Sequence, residues 1–218
     1  MIKLEKGDEP AALSKNCTRW TEIVVRKITA GDAPTKSEKS RYNHRDIKQA
    51  LLLETFDKCA YCESKLRHIT FGDIEHVVPK SDDPSKWFSW PNLTIACDVC
   101  NTNKGGASVD GGTFIDPYQV DPEEHFWQLG AVVYARPGCD AAALTERLLK
   151  LNRADLVERR GERIKRLMKM LEVIERCENG ELKELLWREF TSEGETHNEY
   201  AALSRTVIEV AERGLGAA

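Results

Sequence analysis

The sequence predicts an α+β protein. A small, turn-rich core of short strands and a helix is built around a metal site, with an N-terminal arm before it and a mostly α-helical part after it. Three observations carry this. Four of the seven cysteines form two C-x-x-C pairs, Cys59 with Cys62 and Cys97 with Cys100. The stretch that holds them is short, mixed and rich in turn formers. Beyond residue 141, apolar residues recur at helical spacings instead.

A chain of 218 residues forms one large domain or two small ones and buries a core without needing cross-links. With 41% hydrophobic and 31% charged residues it is too apolar to be disordered. No apolar run approaches the length of a membrane span, and residues 1–10 are charged rather than signal-like, so a cytoplasmic protein is expected. A net charge of −4 excludes a protein that coats nucleic acid by bulk charge, though not an enzyme with a local basic surface.

Taken in order, residues 1–42 carry Gly31, Pro34 and a Lys/Ser/Glu-rich stretch without a sustained period, and read as an extended arm with one short apolar segment near Trp20. Asn43, followed by Asp46, marks a helix start, and Ile47, Leu51 and Phe56 carry that helix to about Lys58. Residues 59–106 hold the paired cysteines. Two Asp-Pro steps at Asp116 and Asp121 favour turns, and the segment from Phe126 to Tyr134 suits one or two strands. Helices follow, two of them broken near residues 152–155, then one over about 181–190 and one over about 198–213. The expected division is 1–42 as the arm, 43–136 as the metal-bearing domain and 137–218 as the helical domain.

Charge is uneven in the helical part. Residues 144–170 hold nine Lys/Arg against four Asp/Glu, and residues 171–218 hold five against eleven. A solvated helix face explains this, and so does a basic helix turned towards phosphate.

Two C-x-x-C knuckles 34 residues apart can place four thiolates around one Zn²⁺. A redox pair explains one such motif but not two. A four-thiolate zinc has no open position, so it holds the fold and performs no chemistry. Cys17, Cys139 and Cys177 stand alone and read as small buried hydrophobes.

The chemistry must then lie between the knuckles. The chain there runs Asp73-Ile-Glu75-His76-Val-Val-Pro79-Lys-Ser81, then Asn92-Leu, then Cys97-Asp-Val-Cys100-Asn101-Thr-Asn103-Lys104-Gly105-Gly106. An acid directly before a histidine, with proline three residues on, suggests a strand entering a fixed loop. Cys97 begins a helix that sets Asn101 and Lys104 one turn apart on one face.

This ordered set resembles the HNH endonucleases in their zinc-knuckle form, with its ββα-metal core over residues 59–106. The resemblance implies that Glu75 and Asn101 bind one catalytic divalent cation, that His76 is the general base and that Asn92 braces the histidine loop. Asn101 stands where many members have histidine, and Glu75 where aspartate is more frequent. Longer stretches are similar to the PtuB-type HNH nucleases of retron/Septu anti-phage defence. They are Cys59-Ala-Tyr-Cys-Glu63, Phe114-Ile-Asp-Pro-Tyr118, Asp121-Pro-Glu-Glu-His125 and Leu149-Lys-Leu-Asn-Arg153 through Arg160. That likeness implies an ABC/SMC-like ATPase partner of the PtuA type and, in some systems, a retron reverse transcriptase.

Residue chemistry agrees. A neutral imidazole deprotonates water, and hard oxygen ligands suit Mg²⁺ or Mn²⁺. Lys104 is a candidate phosphate contact, Asp73 an auxiliary ligand on the Glu75 face, and Arg153, Arg159, Arg160 and Arg163 are candidates for backbone phosphates. DNA is the expected substrate. The same site can cut RNA, and a non-catalytic zinc-knuckle docking module is the competing class.

Overall fold

A computed structural model describes residues 1–66, 72–107 and 112–215. The first 42 residues are helical rather than an extended arm. They contain α1 (Ala11–Ser14), α2 (Cys17–Thr29) and α3 (Lys36–Lys39), the last closed by a reciprocal cap between Thr35 and Glu38. The apolar segment near Trp20 is part of α2. It buries Val24 completely and sets Trp20 edge-on to Phe88, with ring centres 5.5 Å apart. Gly31 and Pro34 follow its end.

Helix α4 (Arg45–Glu54) starts one residue later than expected, because the His44 ring rather than Asn43 accepts from the Asp46 N–H. It buries Ile47, Leu51 and Leu52, then stops where Phe56 and Asp57 turn left-handed, with φ of 56° and 59°. That turn delivers Cys59. The first knuckle doubles back at Glu63 (φ 64°) and is pinned to the sheet by the Ala60 N–H, which donates to the Ile95 carbonyl at 3.0 Å.

Strands β1 (Asp73–His76) and β2 (Leu93–Ala96) pair antiparallel, Asp73 opposite Ala96 and His76 opposite Leu93. The backbone of Gly72 has φ +66°, and a Cβ there would stand 2.8 Å from Leu66 Cδ1, so no side chain fits at the entry to β1. Helix α5 (Asp98–Lys104) follows β2 directly, capped by the Cys97 sulfur. The result is a strand, a long loop, a strand and a helix.

A second hairpin, β3 (Phe126–Leu129) and β4 (Val132–Ala135), leads into α6 (Asp140–Leu149) and the 23-residue α7 (Ala154–Arg176). The break between them falls where the sequence placed it. Helices α8 (Gly180–Ser192) and α9 (Ala201–Leu215) pack on α7 through Leu167, Ile174, Phe190 and Ile208.

One hydrophobic core runs through all three expected domains, from Leu13 and Val24 through Ile95 and Phe114 to Leu149 and Leu203. The connection between α8 and α9 is also clamped onto the first knuckle. Lys58 Nζ donates to the Asn198 carbonyl (2.8 Å), and the Ser64 and Tyr200 hydroxyls are 2.9 Å apart. No helix among the described residues is long and apolar enough to cross a membrane.

Candidate active site and zinc centre

The knuckles meet because β2 carries the second into the turn that holds the first. All four sulfur atoms of Cys59, Cys62, Cys97 and Cys100 lie within 4.8 Å of one another, and all four residues are buried. Cys62 and Cys97 Sγ are 3.9 Å apart. Sulfurs about 2.3 Å from a tetrahedral ion stand about 3.8 Å from each other, whereas a disulfide needs about 2.0 Å, so the donor set fits zinc. Arg153, at the start of α7, lies over this cluster. Its guanidinium is 3.7 Å from Cys100 Sγ and 4.0 Å from Cys62 and Cys97 Sγ. It is therefore engaged with sulfur and is not the free phosphate contact expected of it.

A cleft of about 310 Å³ opens beside the sheet, lined by Tyr42, Glu75, His76, Pro79, Lys80, Asn101 and the Gly105-Gly106 turn among others. His76 is nearly enclosed, at 5% exposure, and its Nε2 is 2.9 Å from the Trp87 carbonyl. A carbonyl only accepts, so that contact assigns the proton to Nε2 and leaves Nδ1 as the acceptor. Burial, with the Lys80 charge next, pushes the imidazole down to about 4, so it is neutral at ordinary pH.

Asn92 braces the loop from both sides. Its Oδ1 accepts from the Val78 N–H at 2.7 Å, and its Nδ2 donates to the Val78 and Lys86 carbonyls at 3.1 and 3.0 Å. Asn101 Nδ2 donates to Asp73 Oδ2 at 3.1 Å, and its Oδ1 has no donor among the described residues. Glu75 Oε1 is held by Lys104 Nζ at 2.7 Å, and the same ammonium donates to the His76 carbonyl at 2.9 Å. Burial pushes the Glu75 carboxyl above its ordinary value, against the pull of Lys104. Two cleft-lining oxygen donors of this hard type, with water completing the shell, fit a magnesium-like cation.

The structure corrects three further basic residues. Lys104 is 1% exposed and holds Glu75, so it faces the protein and not a phosphate. Arg160 is 3% exposed and donates to the Leu151 carbonyl at 2.7 Å, tying α7 to the end of α6. Arg163 is taken by Glu193, 2.6 Å away, and by the Ser204 hydroxyl. Arg159 alone of the α7 arginines considered stands out in solvent. Trp87, Tyr42 and Lys80 shape the cleft without having been singled out. Lys80 sits inside the quoted motif, but nothing in the sequence links Tyr42 to it.

A family model described as HNH endonuclease matches residues 59–106. The Septu protein PtuB of Bacillus thuringiensis is 30% identical over a 223-residue alignment covering 95% of this chain and 82% of that protein. The chain belongs to the PtuB family. Another member, the Septu protein PtuB of Bacillus mycoides (strain KBAB4), is 25% identical over 197 residues, 74% of this chain and 66% of the relative. The matched residues 59–106 are the segment that forms the knuckles, the strand pair and α5. This PtuB family member is thus an HNH endonuclease whose zinc-fitting cysteines lie in that unit, with the cleft beside them lined by it and by Tyr42.

Proposed function

We propose that this chain is the nuclease of an anti-phage defence system, hydrolysing phosphodiester bonds of DNA with Mg²⁺ or Mn²⁺ and acting with an ABC/SMC-like ATPase of the PtuA type. The observation that carries it is the cleft in which a neutral His76, Glu75 and Asn101 stand together beside a four-cysteine frame. In the reaction, a water gives a proton to His76 Nδ1 while its oxygen bonds to phosphorus. The bond to the 3′ oxygen breaks, its electron pair leaves on that oxygen, and solvent supplies the proton. A divalent cation held by Glu75 and Asn101, with Asp73 beside Asn101, supplies Lewis-acid stabilisation of the phosphate and the departing oxygen. The zinc held by Cys59, Cys62, Cys97 and Cys100 is structural, and Asn92 keeps the histidine loop in place.

A net charge of −4 gives weak intrinsic affinity for nucleic acid, so a partner that supplies surface also supplies control. The test is cleavage of duplex DNA, single-stranded DNA and a folded RNA, with and without a PtuA-type ATPase. His76→Ala should lower cleavage about 10²–10⁴-fold while zinc content is unchanged. Wild-type rates from His76→Ala on every substrate would overturn the mechanism and favour a docking module. Cleavage confined to RNA would replace the substrate.

A further inference from the structure

With Lys104 withdrawn onto Glu75, the cation that lines the cleft among the described residues is Lys80. It follows Pro79 in the histidine loop, and its backbone is fixed by the same residue that fixes the base. The Trp87 indole N–H donates to the Lys80 carbonyl at 2.7 Å, while the Trp87 carbonyl accepts from His76 at 2.9 Å. Lys80 and His76 therefore keep their spacing if the loop shifts.

The ammonium is placed by Tyr42. Lys80 Nζ donates to the Tyr42 hydroxyl at 2.9 Å and stands 4.7 Å from the centre of its ring. The same ring meets His76 edge-on, with centres 4.5 Å apart and planes at 87°. One tyrosine thus carries the cation and packs against the base. Lys80 is half-buried and forms no ion pair among the described residues. Of its three N–H donors the tyrosine takes one. Its remaining donors are available to an anion that enters the cleft. Across the cleft, Gly105 and Gly106 bring backbone without side chains, which leaves room for a phosphodiester strand.

We propose that Lys80, positioned by Tyr42 from the N-terminal segment, binds the phosphate that is cleaved. This rests on the nuclease reading and names the substrate contact within it. Charge on the phosphoryl oxygens grows as water attacks, and an ammonium already in place stabilises it without reorganising.

The test uses zinc-loaded full-length protein and Mn²⁺, with bis(4-nitrophenyl) phosphate and a 20-base-pair DNA duplex as probes. Lys80→Met should lower kcat about 10²-fold or more on both, with thermal midpoint and zinc content unchanged. Lys80→Arg should recover part of the loss. Tyr42→Phe, which keeps the ring on His76, should give a smaller drop in kcat. A second arm needs no turnover. In a His76→Ala background, Lys80→Met should weaken duplex binding and make the slope of log K against log salt shallower by about 0.9, one phosphate contact. Unchanged rates and an unchanged slope in Lys80→Met, while wild type cleaves, overturn the assignment and leave the nuclease intact. Loss on the duplex with the small diester spared also overturns it, since the contact is then with a flanking phosphate. No cleavage of either probe by wild type, together with no binding, both alone and with a PtuA-type ATPase added, fails the nuclease reading itself.

Discussion

Replacing Arg153 with methionine should weaken zinc binding far more than it disturbs packing. Four thiolates around Zn²⁺ leave about two net negative charges in a buried place, and those charges need donors. Arg153 supplies them to three of the four sulfurs, at 3.7, 4.0 and 4.0 Å. A hydrogen bond to a charged group contributes about 1.5–3 kcal/mol. These three contacts are long, and the side chain is 14% exposed, so the set is taken as worth about one good bond. At 1.4 kcal/mol per tenfold, zinc affinity should fall about 10–100-fold, the range usual for groups that support metal ligands from behind. Methionine keeps the apolar stem, and Arg153→Lys should lie between, because one ammonium cannot fork across three sulfurs. Asp155→Asn is the control. Asp155 pairs with Arg153 at 3.1 Å but is 65% exposed, so its loss should leave zinc unmoved. The assay is competition for zinc with a chromophoric chelator at fixed pH and salt. If Arg153→Met competes as well as wild type, the arginine is an ordinary surface residue and the coupling of α7 to the knuckles is wrong.

Other outcomes follow from the same geometry. Cys59→Ser and Cys97→Ser should lose the tightly bound zinc seen by elemental analysis, together with most folded protein, whereas Cys17→Ser, Cys139→Ser and Cys177→Ser should keep it. Lys104→Met should cost about 3–5 kcal/mol in urea unfolding, because it strands the buried Glu75 carboxylate, and adding Glu75→Gln should restore much of that. Additive losses in that double variant would argue against a pair. Glu75→Ala and Asn101→Ala should lose cleavage that high Mn²⁺ partly restores, and His76→Ala should not recover in that way. Asn92→Ala removes three loop hydrogen bonds and should lower cleavage about 10²-fold with zinc retained.

What the sequence disclosed divides along physical lines. The paired cysteines, the strand that carries Glu75 and His76, α5 and the break between α6 and α7 were legible because each rests on spacing along a short piece of chain, whereas the second strand, β2, was implied only by the resemblance to the HNH core. Helix α2 does carry a helical period, in Trp20, Ile23, Val24 and Ile28, but it is one element of a 42-residue stretch whose remainder, with Gly31, Pro34 and a charged run, has none. Burial was invisible for the basic residues. Spacing put Lys104 one turn from Asn101 on α5, which is correct, yet gave no sign that its side chain turns inward to Glu75. The same holds for Arg160, whose partners Leu151 and Ala131 are backbone carbonyls that no pattern of residue types marks. A cation in a sequence reads as surface until an acid or a carbonyl is found within reach. In this fold four of those assigned to phosphate, Lys104, Arg153, Arg160 and Arg163, have such partners, and Lys80, which lines the cleft beside the base, has a tyrosine instead of an acid. That difference favours Lys80, beside the base, as the cation that meets the anion in the cleft, and leaves Arg159 as the solvent-exposed arginine of those considered on α7.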